Sequence, residues 1–236
     1  KGTINGSKEI IKASQNLEYY EDQFDNEPYL KGIKLLPTLE LNDSTPENMI
    51  EKVSDEISKQ KNKFIISLGG DHSTTIGTIK GLESNHKDFS VIIFDAHSDF
   101  RDSWNNSSLN HACVSKQISK KHSLSIIGVR SQDIDEKEQI ENSSNVHIIK
   151  SYDFNLDGLK EVLPKLKDKV FISMDVDVFD PSFIRNTGTP EPEGLSWNHL
   201  IQSLQEIAKN KEIIGVDIVE FSPKNNFQSE AYALSR

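Results

Sequence analysis

The chain has 236 residues, a length at which one α/β domain with a sizeable core is ordinary, so we expect a single domain over residues 1–236. A net charge of −10, with acidic residues spread along the chain, disfavours nucleic acid and membranes as partners and is compatible with a small cationic substrate. A single cysteine, Cys113, excludes an internal disulfide and a thiolate metal cluster, and the absence of a long apolar run favours a cytoplasmic protein.

Short apolar runs rich in β-branched residues recur along the chain, with helical patterns between them. The predicted strands are residues 64–68, 91–94, 124–129, 146–149, 170–174 and 213–219. The clearest helix starts lie at Thr45-Pro46, where Thr45 can cap and Pro46 can take the first helical position, and near Ser196. Further helices are predicted over residues 73–82, 112–120 and 156–167, although Pro164 disfavours the end of the last. This alternation predicts a three-layer α/β/α fold with a mainly parallel sheet.

Polar residues follow four of these strands at the point where each strand ends. In chain order they are Asp71 and His72, then Asp95, His97 and Asp99, then Asp175, Asp177 and Asp180, and finally Glu220. Residues at a spacing of two share one face of an extended chain, so Asp95, His97 and Asp99 are expected to converge. Because the carboxyl ends of parallel strands meet at the edge where ligands bind, we expect the four segments to form one site.

The charge of this set indicates metal. Carboxylates held close in a crevice must take up protons or bind cations. The most coherent ligand set carries a charge of −4, which two divalent cations balance, and it consists of His72, Asp95, His97, Asp99, Asp175 and Asp177. Oxygen and imidazole donors without sulfur favour Mn²⁺, with Fe, Co or Zn as substitutes. The sequence therefore predicts two Mn²⁺ ions per chain, a pair able to lower the pKa of a shared water toward about 7.

Some of these residues have ordinary structural interpretations. A single D-x-H or D-x-D is a weak signal, because aspartate at a strand end is often a turn residue. For Asp180, followed by proline, a turn or capping role is favoured. Asp71 follows two glycines, which indicates a tight turn that aims His72 inward, so Asp71 is expected to be structural. Cys113 is expected to be a small buried hydrophobe.

The ordered set of motifs resembles the ureohydrolase family, which contains arginases and agmatinases. The matching segments are S-L-G-G-D-H-S, F-D-A-H-S-D, L-N-H-A-C-V, S-M-D-V-D-V-F-D-P, T-G-T-P-E-P and V-D-I-V-E-F-S-P. The resemblance implies a three-layer α/β fold, two Mn²⁺ ions held by the six residues above, and hydrolysis of a guanidino group to urea and an amine. It also implies a homo-oligomer, either a trimer or a hexamer.

The resemblance further assigns roles within the site. His111 matches a histidine that passes a proton to the leaving amine, and Glu220 matches a carboxylate that pairs with the substrate guanidinium. Thr189 matches a residue that lines the guanidinium pocket. Asp99 is implied both as a ligand and as the group that orients the attacking hydroxide.

The substrate is the less determined part of the resemblance. The segment F-R-D-S-W-N-N-S-S-L-N before His111, together with T-P-E-P, is more similar to agmatinases than to arginases, which favours agmatine hydrolysis to putrescine and urea. Arginase, guanidinobutyrase and formiminoglutamase activities remain alternatives. The chain departs from the family pattern at Ala112 and Glu193, where glycine is common, and at Arg185-Asn186, where Pro-Gly is common. Its ends also lead us to expect a domain that is incomplete at both termini.

Two other classes of protein compete with this interpretation. A metallophosphoesterase also places D-x-H and G-D at strand ends, but it needs a late H-x-H beside its asparagine-histidine motif, and this sequence has no H-x-H. A non-catalytic metal-binding protein would retain the ligands alone. His111 and Glu220, which no metal requires, argue against that reading.

Overall fold

The computed structural model describes residues 2–41, 44–224 and 228–236. Its strands are β1 Ile65–Leu68, β2 Ser90–Phe94, β3 Leu124–Val129, β4 Val146–Lys150, β5 Lys169–Asp175 and β6 Glu212–Val219. Its α-helices are α1 Gly6–Ser14, α2 Pro46–Ser58, α3 Thr74–Leu82, α4 Val114–Ser119, α5 Ile134–Glu141, α6 Leu156–Val162, α7 Trp197–Asn210 and α8 Gln228–Ser235. No helix in the described ranges is long and apolar enough to cross a membrane.

All six strands form one sheet in the order β1-β6-β5-β2-β3-β4, and every neighbouring pair is parallel. The neighbouring strands β2 and β3 are buried along their whole length, which explains why they read as continuous apolar runs without alternation. One hydrophobic core packs α1, α6, α7 and α8 on one face of the sheet. A second core packs α2, α3, α4 and α5 on the other face. The predicted three-layer α/β/α fold is therefore confirmed.

The two strongest helix predictions are correct at their first residues. The Thr45 hydroxyl accepts a hydrogen bond of 3.3 Å from the backbone N–H of Asn48 at the start of α2. The Ser196 hydroxyl accepts a bond of 3.2 Å from the backbone N–H of His199 at the start of α7. These caps satisfy N–H groups that have no partner within the helix, and so they determine where each helix begins.

Other helices differ from the prediction in their bounds. The helix predicted over residues 156–167 ends as α6 at Val162 and continues as a 3-10 turn, Leu163–Lys165, because the ring of Pro164 cannot donate the next helical hydrogen bond. The helix predicted over residues 112–120 begins with a 3-10 turn, His111–Cys113, before α4. Helices α1, α5 and α8 were not predicted. The apolar pattern is weak in α5 and α8, whereas α1 has an apolar face that includes the buried Ile10 and Ala13 and that was missed in the sequence.

The order of the strands places the site. Strands β2, β3 and β4 extend from the middle of the sheet in one direction, while β5, β6 and β1 extend in the other. The reversal lies between β2 and β5, where Phe94 pairs with Met174. In open parallel sheets ligands bind beside such a reversal, outside the carboxyl ends of the strands. The residues that follow Phe94 and Met174 therefore face each other across this crevice.

One departure from the family pattern leads to a stability prediction. Glu193 has a φ of 62°, a left-handed conformation in which glycine avoids the steric cost of a Cβ. Replacing Glu193 by glycine is therefore expected to raise the free energy of unfolding by about 1 kcal/mol, measured by urea titration. The matched control is Glu191→Gly, because Glu191 does not have a positive φ and should lose stability on gaining backbone freedom. A loss of stability in both variants would contradict the prediction.

Candidate metal centre

The segment after β2 carries three candidate ligands in five residues. The Asp95 carboxylate accepts a hydrogen bond of 2.6 Å from the backbone N–H of His97, which bends the chain directly after the strand. Asp99 then has a φ of 47°, so the chain leaves the extended conformation at that residue. The three side chains converge through this turn and not, as predicted, through alternation along an extended chain. A left-handed residue changes the direction of the backbone, and that change brings Asp99 beside Asp95.

His72 is delivered by the turn after β1. A Cβ on Gly69 would lie 2.6 Å from Thr74 Oγ1 and 2.8 Å from Val219 Cγ1, so only glycine fits this close approach. The Asp71 carboxylate accepts a bond of 3.1 Å from the backbone N–H of Ser73, which is the structural role expected of it. The turn leaves His72 fully buried, and its side chain faces the segment after β2.

Asp175 and Asp177 come from the end of β5. Asp175 is the last residue of the strand, and its carboxylate accepts a bond of 2.9 Å from the backbone N–H of Asp177. The Asp177 carboxylate in turn accepts bonds of 3.0 Å from the backbone N–H of Ala96 and 3.3 Å from the Thr189 hydroxyl. The ends of β2 and β5 are thus tied to each other directly through a candidate ligand.

Asp180 takes the capping role predicted for it. Its carboxylate accepts bonds of 2.9 Å from the backbone N–H of Ser182 and 3.2 Å from the backbone N–H of Gly194. These contacts close the loop after β5. Cys113 is fully buried, as expected for a small hydrophobe.

The side chains form two donor groups that share one carboxylate. His72, Asp95 and Asp99 offer ligand atoms that all lie within 4.8 Å of one another, and so do Asp95, His97 and Asp177. His72 Nδ1 lies 3.1 Å from Asp95 Oδ2, 3.1 Å from Asp99 Oδ2 and 3.4 Å from Asp175 Oδ2. On the other side, His97 Nδ1 lies 3.5 Å from Asp95 Oδ1 and 3.0 Å from Asp177 Oδ2. Asp95 therefore faces one group with each of its oxygens.

These donors fit a pair of divalent cations. His72 Nδ1 and Asp95 Oδ2 are buried and have no hydrogen-bond partner in the described structure, although they lie 3.1 Å apart. Buried polar atoms are ordinarily paired, and such atoms pointing at a common space are what a metal ion would satisfy. The donors are imidazole nitrogens and carboxylate oxygens, without a thiolate, which suits Mn²⁺ and related ions.

The electrostatics of the site agree with this reading. Burial, together with the charge of Asp95, raises the pKa of Asp99 to about 7. Burial and the neighbouring carboxylates Asp177 and Asp95 raise the pKa of Asp175 well above its ordinary range. Burial alone would lower the pKa of His97, but its contacts with Asp177 and Asp95 outweigh that effect and raise the pKa to about 11. Without a cation, the site therefore holds protons that water-exposed groups would release.

Because of these shifts, the metal-free protein is expected to lose several kcal/mol of unfolding free energy between pH 5 and pH 8. Asp99, with its pKa raised to about 7, binds its proton more tightly folded than unfolded, so stability falls as the pH rises toward that value. His97 acts in the same direction, because the stability from its raised pKa is lost as the pH rises above the ordinary histidine value. Asp95, whose pKa is lowered, acts only at more acidic pH.

Urea titrations with a chelator at pH 5, 6, 7 and 8 measure the slope of the unfolding free energy against pH. Asp99→Asn is the matched variant, since it removes one raised carboxyl pKa and should flatten the slope. Stability that rises over this pH range in the wild type would contradict the prediction.

A cavity of about 820 Å³ opens over these groups. It is lined by Asp99, Asp175 and Asp177 together with the three residues assigned by resemblance, His111, Thr189 and Glu220. The residues to which the resemblance assigns catalytic and substrate-binding roles thus line the same cavity as three of the candidate ligands. His111 is exposed and begins the 3-10 turn before α4, where the Asn110 side chain accepts a bond of 3.2 Å from the backbone N–H of Ala112.

Glu220 is held in a restricted conformation beside the site. It has a φ of 62°, and its backbone N–H donates a bond of 2.8 Å to the carbonyl of Gly70. Its carboxylate accepts a bond of 2.8 Å from the backbone N–H of His72. Burial raises the pKa of Glu220 to about 7. A non-glycine residue in the left-handed region beside a crevice is typical of a functional position.

Two supporting features of the site were not found from the sequence. His72 Nε2 lies 3.1 Å from the Ser173 hydroxyl, which lies 3.4 Å from the Thr75 hydroxyl, and Thr75 donates a bond of 2.9 Å to the Asp217 carboxylate. This series of hydrogen bonds occupies Nε2 of His72 and leaves its Nδ1 for a cation. The available signal was Asp217 itself, a charged residue that interrupts the apolar run of β6.

The second supporting feature of the site is Arg130, which lies directly after β3. Its guanidinium donates hydrogen bonds of 2.7 to 3.3 Å to the carbonyls of Gly128, Asp177, Val178, Phe179 and Glu191. The rigid fork of arginine can satisfy several carbonyls at once, and here it fixes the turn that carries Asp177. No motif around Arg130 indicated this role.

Comparison with known proteins identifies sequences that are similar to this chain. The sequence profile of the arginase family matches residues 1–235. The chain is 37% identical over 174 residues to an agmatinase of Pyrococcus horikoshii, a match that spans 73% of this chain and 60% of that protein. It is 33% identical to an N(1)-aminopropylagmatine ureohydrolase of Thermococcus kodakarensis, with 93% of this chain and 76% of that protein covered.

The fold is also similar to a solved structure. An agmatine ureohydrolase of Thermoplasma volcanium superposes with a TM-score of 0.87 at 30% sequence identity, over 100% of this chain and 80% of that one. The resemblance predicted from the motifs is therefore confirmed.

Proposed function

This chain belongs to the arginase family, and on that premise we propose that it is a two-metal ureohydrolase that cleaves a guanidino group into urea and an amine. The observation that carries this proposal is the pair of donor groups joined by Asp95, whose buried carboxylate faces His72 with one oxygen and His97 with the other. A shared carboxylate between two sets of donors suits two cations held close together, an arrangement common in hydrolases.

We propose two Mn²⁺ ions per chain as the cofactors. The proposed ligands are His72, Asp95, His97, Asp99, Asp175 and Asp177. Bound there, the ions would lower the pKa of a shared water toward about 7, which supplies hydroxide near neutral pH. Their positive charge would also offset the crowding of four carboxylates.

Glu220 and Thr189 are proposed to bind the guanidinium. A carboxylate can accept two parallel hydrogen bonds from this planar cation. Glu220 lines the cavity and is anchored through the backbone of His72, so its position relative to the donor groups is set. A guanidinium bound beside Glu220 favours the ionised form of its carboxylate, and so it opposes the rise in pKa that burial causes. The Thr189 hydroxyl lines the same cavity beside Asp177.

Asp99 and His111 are proposed to manage the protons. Asp99 accepts a hydrogen bond from the attacking water and aims it at the guanidinium carbon. His111 lines the cavity and donates a proton to the amine nitrogen as the bond from that nitrogen to the guanidinium carbon breaks. Urea and a primary amine result.

Agmatine is the proposed substrate, giving putrescine and urea. The support is the similarity to an agmatinase and to an agmatine ureohydrolase structure, together with the net charge of −10, which favours a cationic ligand. Arginase, guanidinobutyrase and formiminoglutamase activities are the alternatives within the family.

A longer guanidino polyamine is a second candidate. The cavity of about 820 Å³ lies in the upper part of the range for small-molecule sites, so it has room for a substrate longer than agmatine. Such a substrate matches the name of the Thermococcus kodakarensis relative, an N(1)-aminopropylagmatine ureohydrolase.

We further propose that residues 1–236 act as one ureohydrolase domain in the cytoplasm and assemble as a homo-oligomer, a trimer or a hexamer. The family resemblance supports the assembly. Light scattering coupled to size exclusion would measure its mass.

One assay tests the proposed function. Protein reconstituted with Mn²⁺ is incubated in parallel with agmatine, N(1)-aminopropylagmatine, arginine, guanidinobutyrate and a phosphomonoester, and urea and phosphate are measured. Urea from one or both agmatine compounds, absent in chelator-treated protein, is the expected result. Phosphate release without urea would favour a phosphoesterase, and metal binding without any product would favour a non-catalytic protein; either result overturns the proposal.

A further inference from the structure

Glu136 is a buried carboxylate that the proposed reaction does not use. It lies in the first turn of α5 and is 5% exposed. Its carboxylate accepts three hydrogen bonds, from the Ser98 hydroxyl at 2.9 Å, the backbone N–H of Phe100 at 2.8 Å and the backbone N–H of Asp133 at 2.8 Å. Two of these donors belong to the residues immediately before and after Asp99.

Helix capping accounts for only part of this arrangement. Glu136 and Asp133 form a capping box at the start of α5, and that motif uses one carboxylate oxygen, Oε2. The other oxygen, Oε1, accepts both bonds from the segment after β2. Arg101 Nε lies 3.8 Å from Oε2, so the charge of Glu136 also has a cationic neighbour on that segment. A glutamate needed only as a cap would have no use for Oε1.

The segment between those two bonds contains the left-handed residue of the site. Asp99 has a φ of 47°, a conformation that residues with a Cβ rarely adopt and that surrounding contacts must maintain. Its carbonyl accepts a bond of 3.3 Å from the backbone N–H of Lys116, which holds the same residue from α4. With both flanks held, the Asp99 carboxylate reaches 3.1 Å from His72 Nδ1.

We propose that Glu136 is a positioning residue. It fixes the backbone on both sides of Asp99 and thereby aims the Asp99 carboxylate at His72, with which Asp99 forms one donor group. This inference rests on the proposed function, since it takes Asp99 as a metal ligand. It predicts an unequal effect on the two cations. The position built from His72 and Asp99 depends on Glu136, whereas the position built from His97 and Asp177 is held by Ala96 and Arg130.

The experiment compares Glu136→Gln with Glu138→Gln. Both replace one glutamate of α5 by its amide, but Glu138 is exposed and its carboxylate does not line the cavity. Metal-free wild type and both variants are titrated with Mn²⁺ alone by calorimetry. We expect Glu136→Gln to bind one ion 10- to 100-fold more weakly, the usual effect of removing a group that orients a ligand, and the other ion as the wild type does. Glu138→Gln should bind both ions as the wild type does.

A second measurement needs no metal. The backbone N–H of Phe100 donates to Glu136, so its hydrogen exchange, followed by NMR in the metal-free protein, should be faster in Glu136→Gln and unchanged in Glu138→Gln. Exchange at core strand β2 should be the same in all three proteins. This separates a local loss of positioning from a general loss of stability.

The outcomes are distinguishable. A wild type that binds no Mn²⁺ overturns the proposed function, and the role of Glu136 fails with it. A wild type that binds two ions, beside a Glu136→Gln variant that binds both equally well or loses both in parallel, overturns only the role of Glu136. If Glu136→Gln does not fold, Ser98→Ala removes one of the three bonds and is measured in the same way. Unequal weakening of the two ions then supports the inference, and unchanged binding overturns it.

Discussion

Replacing Asp95 by asparagine is expected to weaken binding at both metal positions and to lower kcat on the guanidino substrate by about a thousandfold. Asp95 is fully buried and is the one residue common to both donor groups in the part of the chain that the structure describes. Asparagine keeps the shape of the side chain but removes its negative charge and one anionic oxygen. Metal ions contribute several kcal/mol to the stabilisation of a transition state, and each 1.4 kcal/mol corresponds to about a factor of ten in rate.

The measurements are Mn²⁺ stoichiometry and urea formation. Asp102→Asn is the matched control, because Asp102 lies in the same segment and its exposed carboxylate pairs with Lys116 at 3.5 Å, away from the donor groups. That variant should retain both ions and its activity. A variant at Asp95 that still binds two ions with the affinity of the wild type would show that the shared carboxylate is not a ligand, and the site assignment would have to change.

Replacing His111 by alanine is expected to lower kcat by a factor on the order of a thousand while both ions remain bound. General acid catalysis by a positioned side chain contributes about 10² to 10⁴ in rate. His111 lines the cavity but belongs to neither donor group, so its loss should affect proton transfer and not metal affinity. Because the step concerns the transition state, the KM for agmatine should change little.

His86→Ala is the matched control for His111, since His86 lies outside the cavity. Steady-state kinetics and a Mn²⁺ titration on the same protein samples separate the two effects. Loss of metal in His111→Ala would mean that the imidazole supports the metal centre. An unchanged kcat would mean that another group protonates the leaving amine.

The strands were predictable because each one is a local pattern. β3 has the bounds predicted for it, and the ends of the other strands shift by at most one residue. Strands buried on both faces need continuous apolar residues, and that need is visible in any short window of the sequence. The polar residues at the strand ends were visible for the same reason, since they interrupt those runs.

The supporting residues of the site were not predictable in this way. Asp217 and Arg130 act through side chains and carbonyls far away in the chain, such as Thr75 and Glu191. Helix α5, which carries Glu136, has a weak apolar pattern and was missed. Contacts of this kind depend on which loops become neighbours, and no local spacing records that.

The sequence by itself determined the order of the strands along the chain, the family resemblance and the identity of the residues at the strand ends. Only the tertiary structure decided that β2 lies beside β5, that Asp99 turns back in a left-handed conformation and that Asp95 lies between the two histidines. The physical reason is that strand order and backbone reversal follow from packing and hydrogen bonds between distant segments. An apolar run or a D-x-H-x-D spacing depends on neighbouring residues alone.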